Sequence, residues 1–289
     1  PFFLWLIYIV RHSYLTDKNM IEENEYGIKT NRSSEHLGDC LELMGLIPDE
    51  SIDMILCDLP YGTTQCKWDS IIDLPNLWSE YKRVIKPDGN ILLFSDEPFT
   101  SILINSNIEM FKQRITWDKQ VAGGFLNAKK MLLKVTEDIC LFTPLNLGHQ
   151  TYNPQLKDKK KDKIRAVGSR PEFKGGYVGK TNGKLSKDYD KNKSYPTNLF
   201  SFNSRNGECN TLNRTHPTQK PIELLKECIY SYSNENEIVL DNTAGVFSTA
   251  IACLETNRKY IVMEKEKEYY NKGIKRILEW KQGKADKLF

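Results

Sequence analysis

Residues 58–61 read Asp-Leu-Pro-Tyr and close the apolar run IDMILC at 52–57. A chain leaving a buried strand usually turns with Gly, Asn or Ser, so a carboxylate, a proline and an aromatic ring here ask for a chemical reason. A carboxylate accepts hydrogen bonds, a proline stiffens the loop, and a ring offers a stacking face. A second strand edge repeats the plan. In IVLDNTAGVFST at 238–249 an apolar run ends in Asp241, a turn with Gly245 follows, and a helix opens near Ser248. Ligands of open α/β sheets sit beyond the carboxyl ends of strands, and a glycine lets ligand atoms approach the backbone. The next strand ends in Glu264, about twenty residues after Asp241, where an acid can hold ribose hydroxyls. Each acid alone also fits a helix cap or a solvated tip. Taken with HPTQKP at 216–221, they point to a nucleoside-containing cofactor.

Positioning these residues takes a sheet. Continuous apolar runs at 52–57, 90–94, 113–117, 138–142, 237–240 and 259–263 predict strands covered on both faces. Helical patterns fall between them at 74–86, 97–107, 218–233, 248–256 and 265–281, and Pro87-Asp88-Gly89 predicts a turn after the first. Strand and helix in alternation predict a doubly wound, mostly parallel α/β sheet. Residues 144–215 break the rhythm: Lys, Asn, Gly, Ser and Pro dominate, and KDKKKDKIR at 157–165 is a basic run. This reads as an inserted region, either solvated surface or a carrier of recognition. GGYVGKT at 175–181 lacks the first glycine of a phosphate loop, since position 174 is Lys, and no strand precedes it.

Composition bounds the rest. The 289 residues are 39% hydrophobic and 11% aromatic, enough for a packed core. Against 41 basic side chains stand 38 acidic ones, so a net charge of +3 demands no polyanionic partner by itself. The 7 cysteines are scattered and never spaced as CxxC, which argues against a disulfide framework or zinc site and for a reducing, cytoplasmic setting. No metal is expected, because His12, His36 and His149 have no ligand-like spacing to His216. PFFLWLIYIV at 1–10 is about half the roughly 20 residues a membrane span needs. Start-like sequence at Met20 makes residues 1–19 upstream or foreign sequence, the rival reading being an added strand or dimer contact.

DLPYG, HPTQKP and VLDNTAG, followed by STAIACLETNRKYIVMEKEKEYY, resemble in order and spacing the S-adenosylmethionine-dependent DNA amino-methyltransferases. The catalytic motif precedes the cofactor motif, as in the circularly permuted β group that modifies N6 of adenine or N4 of cytosine. The resemblance spans about residues 35–280 and implies a Rossmann-like methyltransferase sheet. It divides the chain into an extension at 1–34, a catalytic half at 35–143, a basic target-recognition insert at 144–215 and a cofactor-binding half at 216–289. The substrate implied is double-stranded DNA, with S-adenosylmethionine as cofactor and a homodimer as a possible assembly.

In that family a flipped base presents its amine to this loop. Asp58 and the carbonyl of Leu59 would accept the two amine hydrogens, Pro60 would stiffen the loop, and Tyr61 would stack on the base. Asp241, Asn242, Thr243 and Gly245 would surround the methionine and ribose portions of the cofactor, Glu264 would hold the ribose, and Asp39 would lie near the adenine. His216, Thr218, Gln219 and Lys220 would close the pocket. Lys159, Lys160 and Lys161 would contact DNA phosphates. Asp at position 58 favours adenine, because relatives acting on N4 of cytosine more often carry Ser there. One departure bears on activity: Phe247 stands where the family usually has a second glycine. It either intrudes on the cofactor or packs under the following helix, and the first case implies a catalytically weak or inactive DNA-binding relative and tighter cofactor binding by Phe247→Gly.

Overall fold

A computed structural model describes residues 28–62, 70–159, 190, 192–205 and 219–286. Its strands are β1 (Ser34–Leu37), β2 (Ile52–Asp58), β3 (Ile85–Ser95), β4 (Phe111–Gly123), β5 (Lys134–Phe142), β6 (Lys157–Asp158), β7 (Lys193–Ser194), β8 (Leu199–Ser201), β9 (Ile238–Asp241) and β10 (Lys259–Glu264). The α-helices are α1 (Cys40–Met44), α2 (Leu74–Val84), α3 (Phe99–Ser106), α4 (Ile222–Tyr232), α5 (Ser248–Glu255) and α6 (Lys267–Ala285).

Eight strands form one sheet in the order β1-β10-β9-β2-β3-β5-β4-β8. From β1 to β3 every neighbour pair is parallel; β5 then runs antiparallel to both β3 and β4, and β8 pairs parallel to β4. The continuous apolar runs have a simple cause. Side chains alternate across a strand, so Ile55 and Cys57 of β2 join Leu77, Trp78 and Tyr81 of α2 on one face. Met54 and Leu56 join Leu224 and Leu225 of α4 and Ala250 and Ile251 of α5 on the other. Both faces are covered, which leaves no polar alternation to read.

Helix α2 starts where the sequence predicts. Asp73 caps it by accepting a hydrogen bond from Asn76 N, and Leu74, Leu77, Trp78, Tyr81 and Val84 line its buried side. Five elements escape the sequence pattern: β1, α1, β6, β7 and β8 are short, and β1 and β8 sit at the sheet's two edges. The expected turn at Pro87-Asp88-Gly89 is instead a bulge inside β3. Ile52 pairs with Ile85 and Met54 with Asn90, so two steps on β2 oppose five on β3. The insert also returns to the body, since β8 lies within 144–215 and pairs with β4 at Thr116–Asp118. Among the described residues no helix is long and apolar enough to cross a membrane, and Cys40, Cys57, Cys140, Cys228 and Cys253 are free thiols.

Candidate functional site

The parallel strands β10, β9, β2 and β3 end on one side of the sheet, and a cavity of about 710 Å³ opens there. Asp58, Leu59, Pro60 and Tyr61 leave β2 into it. Asp241, Asn242, Thr243 and Gly245 leave β9 into the same cavity, Glu264 ends β10 beside them, and Asp39 follows β1. Gln219 and Lys220 line it just ahead of α4. His216, Thr218, Lys160 and Lys161 lie outside the described residues. Lys159 is described, does not line the cavity, and donates its backbone N–H to Asn192 O at 2.7 Å.

The DLPY corner is built around a charge. Lys220 Nζ lies 2.8 Å from the Asp58 carboxylate and 3.3 Å from Glu137 Oε2, while Lys119 Nζ holds the other Glu137 oxygen at 3.0 Å. Tyr61 donates its hydroxyl to Asp58 Oδ1 at 2.6 Å. The Lys220 ammonium also stands 5.2 Å from the Phe94 ring centroid and 5.7 Å from that of Tyr61. Tyr61 is itself stacked on Phe99, with centroids 5.4 Å apart. Burial alone would lower the Lys220 pKa; the Asp58 and Glu137 carboxylates outweigh it and push it up to about 12, so the side chain stays cationic. Burial likewise works to raise Glu137, but the charges of Lys220 and Lys119 hold it below the usual carboxylate range.

Glu137, Lys119 and Phe94 complete this corner, and sequence reasoning missed them. Glu137 and Lys119 project from β5 and β4, strands that meet β2 only through β3. The one available signal was an acid within the apolar-rich strand KVTEDICLF, a position that a half-buried strand ordinarily fills with an apolar or neutral residue.

The DNTAG corner is built from neutral donors. Asp241 is 4% exposed and accepts from Thr249 Oγ1 at 2.6 Å and from Thr243 N at 3.1 Å. Burial pushes its pKa up to about 7. Glu264 accepts from Gly245 N at 2.8 Å and Glu266 N at 2.7 Å, which ties the turn after β9 to the end of β10. Thr243 Oγ1 donates to Asp58 O at 3.1 Å, so the two loops are joined directly. Asp39 caps α1 through Leu41 N at 3.0 Å and pairs with Lys265 at 3.1 Å.

Asn242 accepts at Oδ1 from Tyr81 and Cys57, which fixes its side chain in the wall of the cavity. Acids at three strand ends and a volume in the range of small-molecule sites fit a polar nucleoside-containing cofactor.

Phe247 does not line this cavity. It is 0% exposed, its backbone is left-handed at φ 62°, and its ring packs edge-on against Tyr270 with centroids 5.5 Å apart. A Cβ on Gly273 of α6 would come within 2.4 Å of the ring, so a glycine on the facing helix makes the space. Of the two outcomes open for this residue the structure takes packing beneath the helix, and the case for a weakened site loses its basis.

The model of the DNA methylase family, N6_N4_Mtase, matches residues 52–275. DNA adenine methyltransferase YhdJ of Escherichia coli (strain K12) is 29% identical over 259 residues, covering 83% of this chain and 81% of that protein. Type II methyltransferase M1.MboII of Moraxella bovis is 26% identical over 258 residues, covering 82% and 94%. In fold, the chain resembles the M1.HpyAVI–SAM complex, with TM-score 0.55, 21% identity and coverage of 84% and 98%. It also resembles the cytosine-N4-specific PvuII DNA methyltransferase, with TM-score 0.59, 15% identity and coverage of 84% and 85%. The chain therefore belongs to the DNA methylase family of N6- and N4-directed DNA methyltransferases, and its cofactor is S-adenosylmethionine.

Proposed function

We propose that the chain methylates the N6 amine of an adenine flipped out of double-stranded DNA. One observation carries methylation of an exocyclic amine, and Asp rather than Ser at position 58 favours adenine. A nitrogen cation already rests between the Asp58 carboxylate and the faces of Phe94 and Tyr61, in the form of Lys220 Nζ. An exocyclic amine is a weak nucleophile whose lone pair is conjugated into the base, and it gains positive charge as it reacts. A site that stabilises a cationic nitrogen is therefore complementary to the transition state.

Bound in the cavity, S-adenosylmethionine supplies an electrophilic sulfonium methyl. Asp241, Asn242, Thr243, Gly245, Glu264 and Asp39 would hold it, with Gln219 at the wall. Asp58 accepts a hydrogen bond from the amine and the Leu59 carbonyl accepts the other, which orients the nitrogen and draws electron density onto it. Tyr61 and Phe94 enclose the base. Lys220 gives up Asp58 as the amine arrives and remains paired with Glu137, so no charge is left bare. Residues 35–143 and 216–289 thus act as catalytic and cofactor halves, and the 144–215 insert with Lys159, Lys160 and Lys161 serves DNA contact.

The test is mass spectrometry of nucleosides from unmodified duplex DNA incubated with the protein and methyl-labelled S-adenosylmethionine. Labelled N6-methyladenine is expected. Labelled N4-methylcytosine would replace the adenine reading with its alternative, to which the same acceptor pair is open. Absence of any labelled base would overturn both.

A further inference from the structure

The connection between β4 and β5 projects from the rim of the cavity. Val121, Ala122 and Gly123 line the cavity, and Gly123 pairs with Lys134 where the two strands part. Residues 124–133 beyond that pair fold on themselves: Asn127 N donates to Gly124 O at 2.9 Å, Ala128 N to Phe125 O at 3.1 Å, and Met131 N to Asn127 O at 3.0 Å. Yet this ordered turn holds its large apolar side chains outward. Leu126 is 99% exposed, Leu132 95%, Met131 66% and Phe125 65%. Single exposed apolar residues are ordinary; four on one ordered turn mark a surface that meets something.

The chemistry of the turn selects the partner. Lys129 and Lys130 are exposed among these side chains, and no acidic residue occurs from Lys119 to Thr136. Apolar wedges flanked by cations suit a nucleic-acid duplex, where the cations meet phosphates and the wedges enter between base steps. The turn is also continuous with the cavity wall that a flipped base would enter. We infer that the 124–133 turn enters the DNA beside the target base, with Phe125 and Leu126 filling the space the base leaves and Lys129 and Lys130 on the flanking phosphates. This rests on the reading of the cavity as a base-flipping methyltransferase site.

The test replaces Phe125 and Leu126 by Ser together; both are exposed, and an unchanged melting temperature checks the fold. On a fully paired duplex carrying the methylated sequence, kcat/KM should fall at least tenfold. With an abasic site opposite the target base, which removes the cost of unpairing, the variant should come within threefold of the parent. An unchanged rate on the paired duplex, or an equal loss on both, overturns the wedge. The parent's own rate on the paired duplex tests the methyltransferase reading separately. A third measurement needs no turnover: the variant should bind the fully paired duplex at least fivefold more weakly than the parent. Equal affinity, or a change in self-association by sedimentation with DNA affinity intact, overturns the proposal in favour of a contact between copies.

Discussion

Two loops leave the same side of the sheet with an aspartate at the strand end, and they treat it in opposite ways. Asp58 is held from far along the chain by the Lys220 ammonium at 2.8 Å, with the Tyr61 hydroxyl of its own loop adding a second contact at 2.6 Å. Asp241 is held locally by Thr243 N and Thr249 Oγ1, at 3.1 and 2.6 Å. Desolvation raises both, but at Asp58 the adjacent ammonium opposes it, whereas at Asp241 only neutral donors do, and its pKa rises to about 7. A charge held by an exchangeable cation can trade that cation for an incoming amine. A group fixed by its own loop is part of the wall. On the proposed function, the same residue at the same topological place serves as a reacting-group acceptor in one loop and a binding scaffold in the other.

The contrast breaks most visibly under alanine. Asp58→Ala should cut methyl transfer by roughly 10²–10³-fold, the scale of losing one directed electrostatic contact to the transition state, with cofactor affinity and melting temperature nearly unchanged. Asp241→Ala should instead weaken cofactor binding at least tenfold by calorimetry. If Asp58→Ala weakens the cofactor and Asp241→Ala spares it, the two roles are reversed.

Phe247 tests the wall from behind. Removing a buried Phe costs about 3–5 kcal/mol, and relief of a left-handed backbone by glycine returns about 1–2, so Phe247→Gly should lose roughly 1–4 kcal/mol in urea unfolding. Cofactor affinity should stay the same, and tighter binding would return the ring to the site. Gly273→Ala should destabilise the parent through its clash with the ring, but cost far less in the Phe247→Gly background.

The raised pKa of Asp241 makes a pH prediction. The folded state keeps its proton to about pH 7 while the unfolded state releases it near 3.8, so between these values the folded state binds more protons. Stability should therefore fall as pH rises through that window, by at most about 1.4 kcal/mol per pH unit. Asp241→Asn should flatten the slope in urea midpoints measured from pH 4.5 to 7; an unaltered slope would assign it to other groups. The smallest effect expected is at Glu137. Glu137→Gln removes the second carboxylate on Lys220 and its negative charge beside Asp58, which raises the Asp58 pKa. The acid limb of the kcat/KM profile should move to lower pH and the rate fall roughly fivefold, whereas a purely structural role would leave the limb in place.

Much of the fold was legible because buried parallel strands leave a loud trace. IDMILC, NILLF and KYIVM admit no polar face, and α2 carries its cap, its proline and its apolar stripe in one stretch. The edge strands β1 and β8 and the five-residue α1 were silent, since short, half-solvated elements carry little periodicity. The bulge of β3 was misread because Pro-Asp-Gly has turn chemistry wherever it occurs, and only pairing with β2 reveals that the strand continues through it.

What the sequence by itself determined is the order of the motifs, the two strand-end acids and the membership of the DNA methylase family, all carried by residue type and spacing along one strand and its following loop. The tertiary structure decided the rest. It set Lys220 between Asp58 and Glu137, residues 162 and 83 positions away in the chain, because β5 lies beside β3 and the segment before α4 crosses the same sheet edge. It turned Phe247 into the core because Gly273 on α6 leaves room for the ring. Local sequence fixes backbone preference and the face a side chain takes, but which charges meet and which ring is buried depend on elements brought together by packing, and spacing along the chain does not encode that distance.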